Sequence, residues 1–481
     1  MALVAIATWN LLCSESTRNL SRRPHLTDRL EEQNDEKDRR PVRGALPASL
    51  HGPGAGLLLL VVLGLVVTRP RGLDVAWFAG AGGALAVVSG LLPLPAVGAI
   101  IARTWDAVVT LIALVLLSQA LESNRFFDWA ASHVARAAGG SGWRLYVLVL
   151  LLTSAVAALL ANDGAVLMLT PIYATLLRTV YRDDQAAVRL PFLLATGFFA
   201  DAMSALFIPS NLTNIIVADA TGLDVPSAAL HLAAPMAAAF LVGGAAFALR
   251  FRGRLGTPYD PTGPDDPATI IRDRVVFWAG WAALGGMMAG YIAGGNLRLP
   301  VASVALPAGV TMLVLVDRRR LRPAREALAT APWAVLIYAL GMFAVLTAAY
   351  DAGVLAGLVS LLRDAARPGA GLAGVLTVGG LASLISAAVN NLPAALLGVF
   401  ALGGDGHGPH TATYALILGV DIGPKLTPFG SLATLLWLRI LAQHNIRVSW
   451  GQYIRENWWI TLLVVGASLG VLELSQSLLG G

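Results

Sequence analysis

Four ionisable residues lie within otherwise apolar stretches of the sequence, and their side chains are the ones best placed to do chemistry. Asp163, Asp201 and Asp421 could each bind and release a proton, and Lys425 could neutralise one of them. A charge at the centre of a lipid bilayer costs about 2.5–3.5 kcal/mol or more, so it is paired, neutralised or functional. These four residues therefore predict either proton coupling or a buried structural ion pair.

Uncharged polar residues occur in the same segments as these charges. Their side chains can donate and accept hydrogen bonds, which suits the recognition of a neutral, hydroxyl-bearing solute. Hydrogen bonding between neighbouring helices is the alternative explanation, because Ser, Thr and Asn often do this in membrane bundles. The candidate substrate-binding residues are Asn162, Asn211, Asn214, Asn390, Asn391, Thr427, Ser431 and Thr434.

These residues fall at interruptions of apolar segments, and the interruptions recur in the two halves of the chain. Asn162 and Asp163 precede a glycine, and Asn390 and Asn391 precede a proline two residues on. Residues 198–214 also align without gaps with the segment that contains Asp421. Helices interrupted by Gly, Pro and polar residues at corresponding positions of two halves are typical of transporter binding sites. The pattern therefore predicts broken or re-entrant helices near the membrane midplane.

The composition of the chain requires a membrane environment. Of the 481 residues, 56% are hydrophobic and 13% are charged, which is roughly half the charged fraction of a soluble protein. The apolar stretches approach the length of about 20 residues that a hydrocarbon core requires, and the alternation of a membrane barrel is absent. We therefore predict an all-α integral membrane protein with about 10–12 transmembrane helices.

A hydrophilic segment divides the apolar part of the chain into two halves. We expect residues 53–250 to form the first transmembrane repeat and residues 275–481 to form the second. The central loop between them, residues 251–274, is rich in Pro, Gly and Asp, and the Arg residues around it favour the cytoplasmic face. Residues 1–52 form an N-terminal extension whose polar, charged part predicts disorder.

Several kinds of chemistry are excluded by what the sequence lacks. It contains no G-x-x-x-x-G-K-[ST] loop, so the chain does not hydrolyse ATP by that route. Cys13 is the only cysteine, which excludes an internal disulfide and a zinc site of the Cys/His type. The net charge of +5 comes from Arg residues clustered in loops. We therefore predict no cofactor, no bound metal and no nucleic-acid partner.

Four segments around the interruptions resemble the arsenical pump membrane proteins, the arsenite permeases of bacterial arsenic resistance. They read ANDGAVLMLTPI at 161–172, FFADAMSALFIPSNLTNIIVAD at 198–219, VNNLPAALLG at 389–398 and GVDIGPKLTPFGSLATLLWLRILAQ at 419–443. Their order and spacing agree with that family from about Leu57 to Leu472. The residues that belong to these shared motifs are Asn162, Asp163, Asp201, Asn211, Asn390, Asn391, Asp421, Lys425 and Thr427.

The resemblance implies an efflux carrier of the ion transporter superfamily in the bacterial inner membrane. Such a fold has two inverted repeats, each with a broken or re-entrant hairpin near the midplane. The resemblance also implies that arsenite and antimonite are exported in exchange for protons. Some relatives associate with a separate soluble arsenite-stimulated ATPase, which makes such a subunit a candidate partner.

The single cysteine limits how such a substrate could be held. Thiolates normally bind a soft ion such as As(III), but Cys13 lies in the N-terminal extension, outside the predicted membrane core. We therefore expect the substrate to travel as a neutral hydroxide, As(OH)3 or Sb(OH)3, held by hydroxyl and amide groups. The carboxylates would then be available for protons.

Three alternatives remain open at the level of sequence. A sodium/proton antiporter or a dicarboxylate carrier of the same superfamily is one, because residues 210–213 resemble a sodium-binding loop. The corresponding residues 430–434 lack the Asn, which argues against a full pair of such loops. The second is a channel subunit driven by an ATPase. The third is a membrane-embedded enzyme, but no nucleophile–base pair supports it, so we predict a transporter and not an enzyme.

Overall fold

The computed structural model describes residues 48–182, 185–261, 263, 266–297, 299–403 and 410–479. Within these ranges the regular structure is helical and includes no strand, so the prediction of an all-α protein is confirmed. Residues 1–47 of the predicted N-terminal extension lie outside the described residues. The last residues of the predicted extension already belong to the first helix, which begins at Ala48.

Nine α-helices lie in the described part of the first half of the chain. They are α1 (Ala48–Thr68), α2 (Val75–Val88), α3 (Leu94–Ser123), α4 (Phe126–Ala137), α5 (Gly142–Leu159), α6 (Asn162–Val180), α7 (Ala186–Ala202), α8 (Leu212–Thr221) and α9 (Val225–Arg250). Two turns of 3-10 helix, Met203–Leu206 and Ile208–Ser210, separate α7 from α8. Two short helices, α10 (Arg252–Leu255) and α11 (Pro267–Ile270), lie in the central loop.

The second half repeats the alternation of long and short helices. Its helices are α12 (Arg274–Leu297), α13 (Ala302–Arg318), α14 (Ala324–Ala329), α15 (Trp333–Asp351), α16 (Ala356–Ala365), α17 (Gly371–Val389), α18 (Asn391–Leu402), α19 (His410–Ile422), α20 (Leu432–Gln443) and α21 (Trp450–Leu479). One turn of 3-10 helix, Gly423–Leu426, separates α19 from α20.

Nine segments of the described chain are long and apolar enough to cross a bilayer. They correspond to α1, α3, α5, α9, α12, α17 and α21, to α7 with the turn that follows it, and to α14 with α15. Four further apolar helices, α2, α8, α18 and α20, have only 10 to 17 residues. A helix rises 1.5 Å per residue, so none of these four reaches the length of about 20 residues that a full crossing requires. The chain is therefore a multi-pass membrane protein in which short helices supplement the full spans.

Two pairs of helices, α15 with α2 and α13 with α3, pack with their backbones in close contact. A side chain on Gly341 of α15 would place its Cβ 2.2 Å from the carbonyl oxygen of Ala79 in α2. A side chain on Gly309 of α13 would place its Cβ 2.5 Å from the carbonyl oxygen of Ala113 in α3. Small residues at such contacts let membrane helices approach closely where lipid provides no hydrophobic driving force. These contacts fix the positions of α3 and α15, which both border the site described below.

The predicted interruptions are present in both halves. In the first half, α5 ends at Leu159 and α6 begins at Asn162, and in the second, α17 ends at Val389 and α18 begins at Asn391. The 3-10 turns separate α7 from α8 and α19 from α20. The two halves therefore share one order of elements: a long helix, a break, a helix, then a second helix that is broken by 3-10 turns.

Candidate functional site

A small cavity of about 30 Å³ lies where four helices begin. The first residues of α6, α8, α18 and α20 form most of its wall, and Leu111, Val335 and Tyr338 complete it. The first four N–H groups of a helix have no acceptor within the helix, and the helix dipole makes this end positive. The cavity is therefore surrounded by backbone hydrogen-bond donors, as the half-helices of a transporter site require.

Side chains cap three of these four helix starts. Oδ1 of Asn211 accepts from the backbone N–H of Thr213 at 3.3 Å. Oδ1 of Asn390 accepts from the N–H of Leu392 at 3.4 Å, and Oγ of Ser431 accepts from that of Ala433 at 3.2 Å. Asn and Ser are preferred caps because they satisfy donors that the helix itself leaves free. These caps explain why α8, α18 and α20 restart where the sequence places an Asn or a Ser. The helix α6 starts after Ala161 without a side-chain cap, and Oδ1 of Asn162 accepts from the N–H of the adjacent Asp163 at 2.9 Å.

In the second half, the break between α19 and α20 is hydrogen-bonded directly to the break between α17 and α18. Asn390 has φ 102° and ψ 156°, a conformation that non-glycine residues rarely adopt. Its Nδ2 donates to the carbonyl of Phe429 at 3.3 Å, and its Oδ1 accepts from the hydroxyl of Tyr338 at 3.1 Å. The N–H of Asn391 donates to the carbonyl of Gly430 at 3.0 Å. Strained residues persist only where their surroundings hold them, and these bonds hold Asn390.

Asp201 and Lys425 form a buried ion pair between the two halves. Their side chains are 2% and 0% exposed. Oδ1 of Asp201 also accepts from Nδ2 of Asn162 at 2.8 Å, and Nζ of Lys425 also donates to Oγ1 of Thr434 at 2.7 Å. The pair therefore links the break before α6 to the first turn of α20. Additional hydrogen bonds of this kind are what a buried ion pair needs to offset its desolvation.

Asp421 is held by neutral donors from the first half. Its Oδ1 accepts from Nδ2 of Asn211 at 2.8 Å, and its Oδ2 accepts from Nδ2 of Asn214 at 2.7 Å. The hydroxyl oxygens of Ser204 and Thr213 lie 3.2 and 3.5 Å from the same carboxylate. No cation pairs with Asp421 among the residues that the structure describes. Each half thus supplies a buried aspartate that the other half binds.

Asp163 differs from the other two aspartates in its surroundings. It lies in the first turn of α6, is half-buried and forms part of the cavity wall. In the described ranges, its carboxylate makes no hydrogen bond or ion pair with the protein. Its neighbour Asn162 reaches from the same turn to Asp201. Asp163 is therefore the carboxylate that a solute in the cavity would meet.

The predicted substrate-binding residues divide into two groups. Asn162, Asn211, Asn391 and Ser431 line the cavity. The remaining four, Asn214, Asn390, Thr427 and Thr434, have their side chains bonded to protein groups behind it. Oγ1 of Thr427, for example, donates to the carbonyl of Ala387 at 2.6 Å.

Two polar residues at the site, Tyr338 and Ser204, were not predicted from the sequence. Tyr338 lines the cavity and donates to Asn390, and Ser204 lies against Asp421. A lone tyrosine within an apolar helix carries no local signal, because the same pattern also fits a packed core residue. Ser204 offered a weak signal, since it lies three residues after Asp201 in the same interrupted segment.

Comparison with known proteins places the chain among membrane transporters. A family described as arsenical pump membrane protein matches residues 55–472. The arsenical pump membrane protein of Escherichia coli (strain K12) is 36% identical over 433 residues, which cover 88% of this chain and 99% of the relative. That of Yersinia enterocolitica is 35% identical over 429 residues, again covering 88% and 99%. A putative arsenical pump membrane protein of Bacillus subtilis is 29% identical over 442 residues. The chain belongs to the arsenical pump membrane protein family.

Proposed function

We propose that this protein exports arsenite and antimonite across the bacterial inner membrane in exchange for protons and so confers resistance to arsenicals. Membership of the arsenical pump family supports arsenical transport, and the bacterial relatives and nine apolar segments support the location. The observation that carries the proposal is the meeting of four helix starts and Asp163 at one small cavity. The two other aspartates lie beside it in bonds between the halves.

The chemistry of the cavity wall suits a neutral hydroxide. As(OH)3 and Sb(OH)3 carry hydroxyl groups that donate and accept, and the wall offers backbone N–H groups, amides and the Asp163 carboxylate. The described residues of the wall include no thiol, and Cys13, the only cysteine of the sequence, lies outside the described residues. The cavity has room for about two water molecules in this conformation, so it must widen even for a compact solute such as As(OH)3 and must widen much further for a dicarboxylate. The hydroxides are therefore bound by hydrogen bonds and not by thiolate ligation.

Asp201 and Asp421 are the proposed proton carriers, and Lys425 neutralises Asp201 in the unprotonated state. A proton on Asp201 would cancel the charge that attracts Lys425, and a proton on Asp421 would displace one of its four donors. Both sets of bonds join the first half to the second. Protonation therefore changes the relative free energies of conformations that keep or break these bonds, which is how a proton can bias alternating access.

We propose further that the two halves are inverted repeats. The corresponding helices α6 and α18 leave the cavity towards opposite ends of the bundle. The end of α6 contacts the end of α20 through Arg178 and the carbonyl of His444, and Tyr181 donates to Thr257 of the central loop at 3.0 Å. At the other end, α18 approaches α8, where a Cβ on Gly403 would lie 3.3 Å from the carbonyl of Ala220. The Arg-rich central loop favours the cytoplasm for the first of these ends.

Transport into everted vesicles tests the proposal. The vesicles would come from an arsenite-sensitive bacterium without its own pump, and an imposed pH gradient without ATP should drive arsenite and antimonite uptake. Uptake that required ATP would point to a channel subunit dependent on a soluble ATPase partner. Uptake that followed a sodium gradient instead would favour the sodium-coupled alternative.

Single substitutions test the roles of the aspartates in the same vesicles. We expect Asp421→Asn and Asp201→Asn to lower pH-driven arsenite uptake at least ten-fold, and Asp163→Asn to weaken arsenite binding, seen as a raised KM. The matched control is Asp364→Asn, whose carboxylate is 57% exposed in a surface pair with Arg367 and should leave uptake unchanged. If both Asp421→Asn and Asp201→Asn retain normal uptake, the coupling assignment is wrong.

A further inference from the structure

A second and larger cavity, of about 240 Å³, lies at the end of the bundle where α9 meets the central loop. Its wall combines the start of α21 with the end of α9 and the short helix α10. Arg250, Arg254, Arg455, Gln452 and Glu456 supply the polar side of this wall. Its apolar side is formed by Leu190, Leu194 and Phe251.

The cavity carries more positive than negative charge. Arg250 lies 2.9 Å from Oε2 of Glu456, and Arg455 lies 3.2 Å from its Oε1, so the one carboxylate is shared between two guanidinium groups. Arg254 makes no side-chain bond within the described part of the chain. Three positive charges against one negative charge leave a formal excess of two. A ligand with a negative charge would therefore find unsatisfied donors here.

The cavity lies at the depth of the membrane surface. Arg250 is the last residue of a candidate span, and Gln452 and Glu456 lie in the first two turns of another. Trp450 and Trp458 on the same helix are 51% and 49% exposed. Exposed tryptophans mark the level of the lipid headgroups in membrane proteins. The polar side of the cavity is therefore within reach of a headgroup, and Leu190 is on a lipid-crossing helix beside it.

We propose that this cavity binds the headgroup of an anionic phospholipid, with its phosphate on Arg254 and Arg455 and its acyl chains along the apolar side. Basic pockets between transmembrane helices on the cytoplasmic side are suited to anionic headgroups. The planar guanidinium group binds phosphate oxygens through two parallel hydrogen bonds. Leu190, which is only half-buried, offers an acyl chain an apolar contact that a free anion would not use.

Lipid binding to the purified full-length protein tests this site without any transport measurement. Phosphatidylglycerol and phosphatidylcholine would be titrated into the detergent-solubilised protein, and bound lipid would be counted by native mass spectrometry. We expect the protein to prefer phosphatidylglycerol and Arg254→Gln to bind it about five-fold more weakly, as expected for one basic residue near a lipid surface. Arg455→Gln should give a similar loss.

The matched control is Arg252→Gln, which removes the same charge from the same short helix but from outside the cavity wall. It should leave phosphatidylglycerol binding unchanged, and the thermal unfolding of all three variants should show that they remain folded. Equal losses in Arg252→Gln and Arg254→Gln would overturn the site, as would an absence of preference between the two lipids. If inorganic phosphate competes as well as the lipid does, the cavity is a free-anion site and the lipid assignment is wrong.

Discussion

Replacing Lys425 with methionine tests the buried ion pair that joins the two halves. Methionine matches the length of the lysine stem and is flexible enough to occupy the same space. The substitution removes the ammonium group from Asp201 and the donor from Thr434. Since both side chains of the pair are at most 2% exposed, water cannot replace the lost partner.

The expected loss of stability follows from this burial. Removing one partner of a buried pair costs about 3–5 kcal/mol, because the other charge stays buried and uncompensated. At about 1.4 kcal/mol per factor of ten, this lowers the ratio of folded to unfolded protein by roughly two to four orders of magnitude. The double variant Lys425→Met/Asp201→Asn leaves no net charge behind. It should therefore recover most of the lost unfolding free energy without recovering proton-driven transport.

Unfolding of the purified protein in detergent measures the loss of unfolding free energy in the single variant and its recovery in the double variant. Arsenite uptake into vesicles measures transport by both variants. The control is Arg367→Met, which breaks a surface pair whose side chains are 73% and 57% exposed. Exposed pairs contribute about 0.2–1 kcal/mol, so this variant should unfold almost as the original protein does. The reasoning is refuted if Lys425→Met costs no more than the control, or if the double variant is as unstable as the single one.

Three further substitutions test other parts of the structure. Cys13→Ser should leave arsenite uptake unchanged, because hydrogen bonds and not a thiolate hold the substrate; a loss of uptake would contradict this. Gly423→Ala places a Cβ 2.2 Å from the backbone of α17 and should destabilise the protein by about 1–3 kcal/mol. The control Gly380→Ala has open space around its Cβ and should leave stability unchanged. Tyr338→Phe removes the donor to Asn390 and should lower the unfolding free energy by about 0.5–1.5 kcal/mol; an unchanged denaturation midpoint would show that this bond contributes nothing.

The interruptions of the helices were predictable because their causes are local. An Asn or Ser that caps a helix acts on N–H groups two or three residues away, so Asn211, Asn390 and Ser431 could be recognised without the rest of the fold. The apolar stretches likewise indicated membrane helices through length alone. The prediction of about 10–12 transmembrane helices compares with nine long apolar segments in the described chain, since short helices such as α8 and α18 resemble spans in composition but not in length.

Which polar side chains line the cavity and which bond to one another was not predictable, because this depends on contacts between distant segments. Asn211 and Asn214 lie one turn apart and both bind Asp421, yet Asn211 borders the cavity, whereas Asn214 does not and also donates to the carbonyl of Ser204. Lys425 had three candidate aspartates, and only the packing of the two halves selects Asp201. Tyr338 entered the site because α15 packs closely against α2. Sequence reasoning therefore located the segments of the site but not the partners within it.

The four helix starts around the cavity also affect the leakage of protons through it. Each contributes about half an elementary positive charge, together about two, against the negative charges of Asp163 in the wall and Asp421 behind it. The site is therefore close to neutral while both aspartates are ionised, and a proton on either one leaves it positive by about one charge. A second proton, as hydronium in a column of water, would then meet an electrostatic barrier, as it does at the paired half-helices of water channels, whereas an uncharged hydroxide would not.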